Sequence, residues 1–197
     1  MPVVKLYISP ALLLMLVTSP LWRVSQSLPV KVKGQGQATD TCVLYAHALL
    51  KNITNVLSQE DLYSGINCTK QGIALNTDTN TPSACAPKGS SCSGIILSLF
   101  DQESCLKNIT EDLRHYYRFL AAQPDPDSLR SVLSTLRELM EKCFTLSLPT
   151  DLSMDKASAD RTYNDRLRLC KVLKGFQVRT ITINRVLAYM NSGEHTT

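Results

Sequence analysis

The stretch Tyr163–Met190, YNDRLRLCKVLKGFQVRTITINRVLAYM, decides the fold. It is the longest run of helical pattern in the chain and holds no proline. Leu169, Leu173, Phe176, Ile183, Val186, Leu187 and Met190 recur at steps of three and four, which places them on one face of an α-helix. Arg166, Arg168, Lys171, Lys174, Arg179 and Arg185 fall largely outside that stripe. Such a helix needs apolar partners on one side and leaves its charged side free to meet another molecule.

Three upstream segments supply the partners. Asp40 or Thr41 caps a predicted helix running to about Tyr63, with Cys42, Ala46, Leu49, Leu50, Ile53, Val56 and Leu57 as its stripe. Ser64–Gly94 is rich in Gly, Pro, Asn, Thr and Ser and holds three cysteines, so it reads as a long loop pinned by disulfides. A second helix is predicted from about Ile95 to Ala122, striped by Ile95, Leu99, Leu106, Ile109, Leu113, Tyr116, Tyr117 and Leu120 and irregular near Asp101–Glu103. After the breaker Gln123–Asp127, Asp125 caps a third helix and Pro126 fits its first turn. That helix runs to about Phe144 with Leu129, Val132, Leu133, Leu136, Leu139, Met140 and Cys143 at helical spacing. Thr145–Ala157 is a second long connection, and Ser158 is the expected cap of the last helix.

The lengths of the links carry topology. A short link makes antiparallel neighbours, whereas a link of about 13 residues extends some 40 Å and spans a 25-residue helix of about 38 Å. The expected fold is therefore all-α, a four-helix bundle wound up-up-down-down with long first and third connections. An up-down bundle with wandering loops is the alternative.

The N-terminus bears on the compartment. Lys5 precedes the apolar run Leu6–Val17, Pro20 breaks it, and Ser25-Gln26-Ser27 offers small residues for cleavage. The expectation is a signal peptide over 1–27 and one domain over 28–197, with a secreted, extracellular product that does not insert in a membrane. The sequons Asn52-Ile-Thr54, Asn67-Cys-Thr69 and Asn108-Ile-Thr110 agree with that route, Asn67 being the least secure because Cys68 competes for a disulfide. The net charge of +4 falls to +2 without the leader's Lys5 and Arg23, too little for a nucleic-acid partner.

Seven cysteines follow the leader: Cys42, Cys68, Cys85, Cys92, Cys105, Cys143 and Cys170. In an oxidising compartment most pair, but spacing does not choose the partners. The odd count leaves one thiol either buried and inert or joined to a second chain. There is no C-x-x-C, so no zinc site is expected, and no cofactor. Phosphate-loop, dinucleotide, H-E-x-x-H and G-x-S-x-G patterns are all missing. His47, His115 and His195 are isolated in sequence, and Glu111-Asp112 and Glu138–Glu141 read as solvated helix carboxylates. An enzyme is not expected.

Phe176–Asn191, FQVRTITINRVLAYMN, and Leu169-Cys-Lys-Val-Leu173 before it are similar to the last helix of the interleukin-12 alpha family. Cys105–Tyr116, CLKNITEDLRHY, resembles that family's second helix. Cys42 with Leu49-Leu50 and Val56-Leu57 resembles the first, and Leu28-Pro-Val30 the start of the mature chain. The likeness is strongest at the last helix and weak in the third helix and the loops.

The resemblance implies a helical cytokine that pairs with the interleukin-12 beta chain and then engages class I cytokine receptors on T and natural killer cells, inducing interferon-gamma. It implies that Arg185 enters an acidic pocket of the beta chain, with Arg179 and Tyr189 as lesser contacts. Asn184 stands where the family is acidic. It also implies that Tyr163 faces a receptor. The disulfides implied are Cys42–Cys92, Cys68–Cys170 and Cys85–Cys105, with Cys143 extra. Cys92 or Cys143 is then the interchain bridge, or association is non-covalent, with Cys143 a buried free thiol. An alpha subunit of the interleukin-23 type, or a helical growth factor acting alone, is the alternative.

Overall fold

The computed structural model describes residues 40–86, 101–124, 127–148 and 162–192. The expected leader, the Ile95 and Leu99 turns, Cys92 and the caps at Asp125 and Ser158 lie outside them.

Four long helices form: α1 (Asp40–Leu57), α4 (Gln102–Ala121), α5 (Arg130–Cys143) and α6 (Tyr163–Ser192), with the short helices α2 (Glu60–Tyr63) and α3 (Thr81–Ala84) and a 3₁₀ turn at Cys68–Lys70 between α1 and α4. No strand occurs among the described residues.

The first predicted helix is broken. Ser58 N–H and Gln59 N–H donate to the carbonyls of Asn55 and Val56, a tight three-residue pattern that closes α1. The Ser58 hydroxyl takes the Asn55 carbonyl as well, at 2.7 Å. Tyr63 is nevertheless buried, carried inward by α2. The irregularity expected near Asp101 is a helix start: the Asp101 carboxylate accepts from Ser104 N–H at 3.0 Å. α6 begins with a reciprocal cap. Asp165 N–H donates to Thr162 Oγ1, and Thr162 N–H donates to the Asp165 carboxylate, both at 3.2 Å.

Side-chain pairs fix the directions. Asn191 meets Asp40, Asn184 meets Ala46 and Gln177 meets Thr54, so α1 and α6 run oppositely. Lys142 with Tyr45, and Asn52 with Ser131, set α5 against α1. Tyr117 with Arg137 joins α4 to α5. Asp112 with Arg179, and Tyr116 with Phe176, set α4 against α6. A helix opposed to both α5 and α6 is parallel to its counterpart, so α1 matches α4 in direction and α5 matches α6. The bundle is up-up-down-down, as the link lengths predict.

The stripes meet in one core. Leu49 and Ile53 of α1, Ile109, Leu113 and Leu120 of α4, Leu136 and Leu139 of α5, and Leu169, Leu173 and Ile183 of α6 are fully buried. Each such side chain contributes roughly 1.5–3 kcal/mol through its removal from water. Tyr116 and Phe176 stack at its centre, with ring centroids 4.3 Å apart. Every residue of the predicted α6 stripe is buried.

Three disulfides lie among the described residues. Cys68–Cys170 ties the α1–α4 connection to α6, and Cys85–Cys105 ties it to α4. Cys42 pairs with Cys143, not with Cys92. The reason is the bundle itself: antiparallel α1 and α5 bring the start of one beside the end of the other, with the two Cα atoms 5.7 Å apart. Cys143 is thus neither a free thiol nor an interchain bridge.

Candidate partner-binding surface

The connection between α1 and α4 is a strap laid across α6. Ala74 N–H donates to the Lys171 carbonyl at 3.0 Å. This close approach needs Gly175: a Cβ there would stand 1.9 Å from the Ala74 carbonyl oxygen. Lys174 Nζ donates to the Thr69 carbonyl at 3.1 Å and also to that of Gln71. The lysine holds the strap down and is not a free docking charge.

Beneath the strap lies a buried polar centre. Asp112 is 0% exposed. Its carboxylate accepts from Asn76 Nδ2 at 3.0 Å, from Thr79 Oγ1 at 2.6 Å and from Thr81 Oγ1. Arg179 Nε stands 3.2 Å from Asp112 Oδ2, and Arg179 Nη2 donates to the Asn76 carbonyl at 3.1 Å. Asn76 N–H donates to the Tyr116 hydroxyl at 3.3 Å. Burial, with Asp112 adding to it, pushes the Tyr116 phenol above its usual range despite the Asn76 N–H and Arg179.

These contacts correct two expectations. Arg179 is 3% exposed and serves the strap, so it does not face a partner. Asp112 is no solvated carboxylate, unlike its exposed neighbour Glu111. A signal for Asp112 was available: it falls three residues after Ile109 and four before Tyr116, inside the apolar stripe of its own helix. Asn184 also points inward, its Nδ2 donating to the Ala46 carbonyl of α1 at 2.9 Å.

What remains outside α6 is a short strip. Val178 is 39% exposed and Ile181 44%, and Arg185 is exposed beside them. Their spacing of three and four residues sets them on one face. Among the described residues Arg185 makes no hydrogen bond or ion pair. Tyr189, one turn on, is half-buried and already engaged. Leu75 of the strap is exposed and lies beside Gly175, about one turn before Val178. Exposed apolar side chains on the same helix face as an uncommitted arginine are what a protein interface offers. Tyr163 is 55% exposed, at the opposite end of the helix. The four residues of the sequence expectation therefore separate: Arg185 and Tyr189 lie near one end of α6, Tyr163 at the other, Arg179 inside.

The His, Cys, Asp and Glu side chains of the described residues form no cluster that would hold a metal ion. The depression lined by Arg114, Tyr117, Arg118, Met140, Ser147 and Leu148 contains no histidine or cysteine. Among the described residues no helix is long and apolar enough to cross a membrane.

The family model described as interleukin-12 alpha subunit matches residues 87–193, more than half of the chain. The chain belongs to the interleukin-12 alpha subunit family. It is 26% identical over 203 residues to the interleukin-12 subunit alpha of Sus scrofa, covering 86% of this chain and 89% of that one. The human interleukin-12 subunit alpha is equally similar, 26% over 203 residues, with 86% and 90% covered. That of Cervus elaphus is 26% identical over 206 residues, with 86% and 89% covered. The interleukin-12 alpha family is one of cytokine subunits, not of enzymes.

Proposed function

We propose that this chain is the secreted alpha subunit of a heterodimeric cytokine. It pairs with a beta chain through the Val178–Ile181–Arg185 strip, Tyr189 adding to its edge. The assembled pair then engages class I receptors on T and natural killer cells and induces interferon-gamma, with Tyr163 at a receptor contact. Arg185 carries the reading. A planar guanidinium with no partner among the described residues, one turn from the exposed Ile181, is suited to an acidic pocket on another protein.

Cys92 is the cysteine not used by the three intrachain bridges, which makes it the candidate for a covalent link to the beta chain.

The test is co-expression of the chain with a beta chain, followed by affinity measurement on purified subunits. Arg185→Ala is expected to weaken association by about 2 kcal/mol, roughly thirtyfold in Kd. Unchanged affinity would remove Arg185 as the anchor. Recovery of free monomer alone would favour a cytokine that acts without a partner.

A further inference from the structure

We infer that Asn67 is the one N-glycan acceptor of the folded chain, and that Asn52 and Asn108 serve the fold with bare amides. The inference rests on the secreted reading above, since the modification needs the secretory route. It follows from what each sequon's amide does.

N-glycosylation forms a bond from the asparagine Nδ2 to C1 of the first sugar. The sugar comes from a lipid-diphosphate-linked oligosaccharide, whose C1–O bond to phosphate breaks. The lipid diphosphate leaves, and one Nδ2 proton is released. The acceptor therefore keeps a single N–H and gains a bulky, hydrated substituent.

At Asn52 neither change is tolerated. Its Nδ2 donates twice across the bundle, to the Ser131 carbonyl at 3.1 Å and to Thr135 Oγ1 at 2.8 Å, both on α5. The side chain is half-buried at the α1–α5 seam. A sugar on that nitrogen removes one of the two bonds and stands between the helices.

Asn108 is engaged at both ends. Its Nδ2 donates to the Ser104 carbonyl at 2.8 Å, and its Oδ1 accepts from Asn80 N–H at 2.8 Å, just before α3. It too is half-buried, under the segment leading into α3. A sugar here lifts the segment that carries Thr79 and Thr81 to Asp112.

Asn67 differs in every respect. It is exposed at the start of the 3₁₀ turn Cys68–Lys70. Its oxygen does the bonding: Oδ1 accepts from Thr69 Oγ1 at 2.6 Å and from Lys70 N–H at 3.3 Å. The turn therefore holds the amide by its carbonyl end and leaves the nitrogen outward. Glycosylation retains that carbonyl. Cys68, the middle residue of the sequon, is buried and bonded to Cys170, so the neighbouring side chain points the other way. The sequon that appeared weakest from its sequence is the one the fold leaves open.

The experiment expresses the full-length chain in animal cells together with a beta chain. Secreted, disulfide-complete protein is treated with a peptide-N-glycosidase in ¹⁸O-labelled water, which marks each formerly glycosylated asparagine as ¹⁸O-aspartate. The proposal expects the label at Asn67 alone. Asn67→Gln should abolish the mobility shift on deglycosylation, whereas Thr54→Ala and Thr110→Ala, which destroy the other sequons without touching Asn52 or Asn108, should leave it unchanged. Label at Asn52 or Asn108 in secreted protein would overturn the assignment, as would a shift that survives Asn67→Gln or secreted wild-type protein with no shift. A chain retained in the cytosol with reduced cysteines would instead defeat the secreted reading on which the inference rests.

Discussion

Asp112→Asn and Arg179→Met test the buried centre under the strap. Both groups are almost wholly removed from water, and the pair joins α4 to α6 beneath the strap. Asp112→Asn keeps the shape and one carbonyl acceptor for Asn76, Thr79 and Thr81, but leaves the Arg179 charge uncompensated. Breaking a buried pair by removing one partner costs about 3–5 kcal/mol, a large share of the roughly 5–15 kcal/mol that holds a domain folded. Arg179→Met leaves the carboxylate with its three hydrogen bonds, so its cost belongs at the lower end, about 3 kcal/mol. The double variant carries no lone charge. It should therefore be less destabilised than the two singles summed, by about 2 kcal/mol. Urea unfolding followed by circular dichroism, with the disulfides intact, reads these numbers. With a slope of about 2 kcal/mol per molar, Arg179→Met shifts the midpoint down by about 1.5 M and Asp112→Asn by about 1.5–2.5 M. Hydrogen exchange adds location: the amides of Ala74 and Asn76, bonded to the Lys171 carbonyl and the Tyr116 hydroxyl, should lose protection first. Single variants costing under about 1 kcal/mol, or singles that add to the double within about 0.5 kcal/mol, would refute the account.

Gly175→Ala sets two effects against each other: helix propensity gains about 1 kcal/mol, while the new Cβ meets the Ala74 carbonyl, which is backbone and cannot turn aside. Overpacking of this kind costs about 1–3 kcal/mol, so a net loss is expected in thermal unfolding, together with faster exchange of the Ala74 amide. Cys143→Ser opens the Cys42–Cys143 bridge and should cost about 2–5 kcal/mol in denaturation, yet leave any covalent link to the beta chain intact on a non-reducing gel; Cys92→Ser should do the reverse. The raised Tyr116 phenol has a definite sign. A group whose folded pKa lies above its unfolded value contributes stability that is full below about pH 10 and is lost as pH rises through the folded value. Tyr116→Phe should flatten that alkaline decline relative to the wild type, and identical slopes would show that the phenol is not coupled to folding.

The sequence carried the four long helices because their stripes are long and regular, and α6 is the clearest case. It carried the winding because link length constrains direction. It did not carry the break at Ser58, where a local hydroxyl-to-backbone bond closes the helix at the polar run Ser58–Asp61 that follows the stripe. The partner of Cys42 is Cys143 and not the expected Cys92 for a related reason: the pairing is set by how α1 and α5 are juxtaposed, and spacing along the chain is silent on that. Arg179 and Arg185 look alike in sequence. They differ only by which neighbour meets them, and Asp112 meets one. The strap's hold on α6 was visible solely as a glycine whose need for a close backbone neighbour cannot be read without the neighbour.

The three bridges also set an order of events in synthesis. Cys85 and Cys105 are 20 residues apart, whereas the other two pairs are separated by 101 and 102. The chain emerges from its N-terminus, so Cys85–Cys105 is the first correct pair available. Cys42–Cys143 waits for α5, and Cys68–Cys170 waits for most of the chain. Cys92 emerges before Cys105, however, and closes a shorter loop with Cys85 than the correct partner does. In an oxidising compartment a Cys85–Cys92 bond therefore competes with the correct one. Where that bond forms, the Cys105 thiolate must attack Cys85 and displace Cys92 as a thiolate before the native bridge is made.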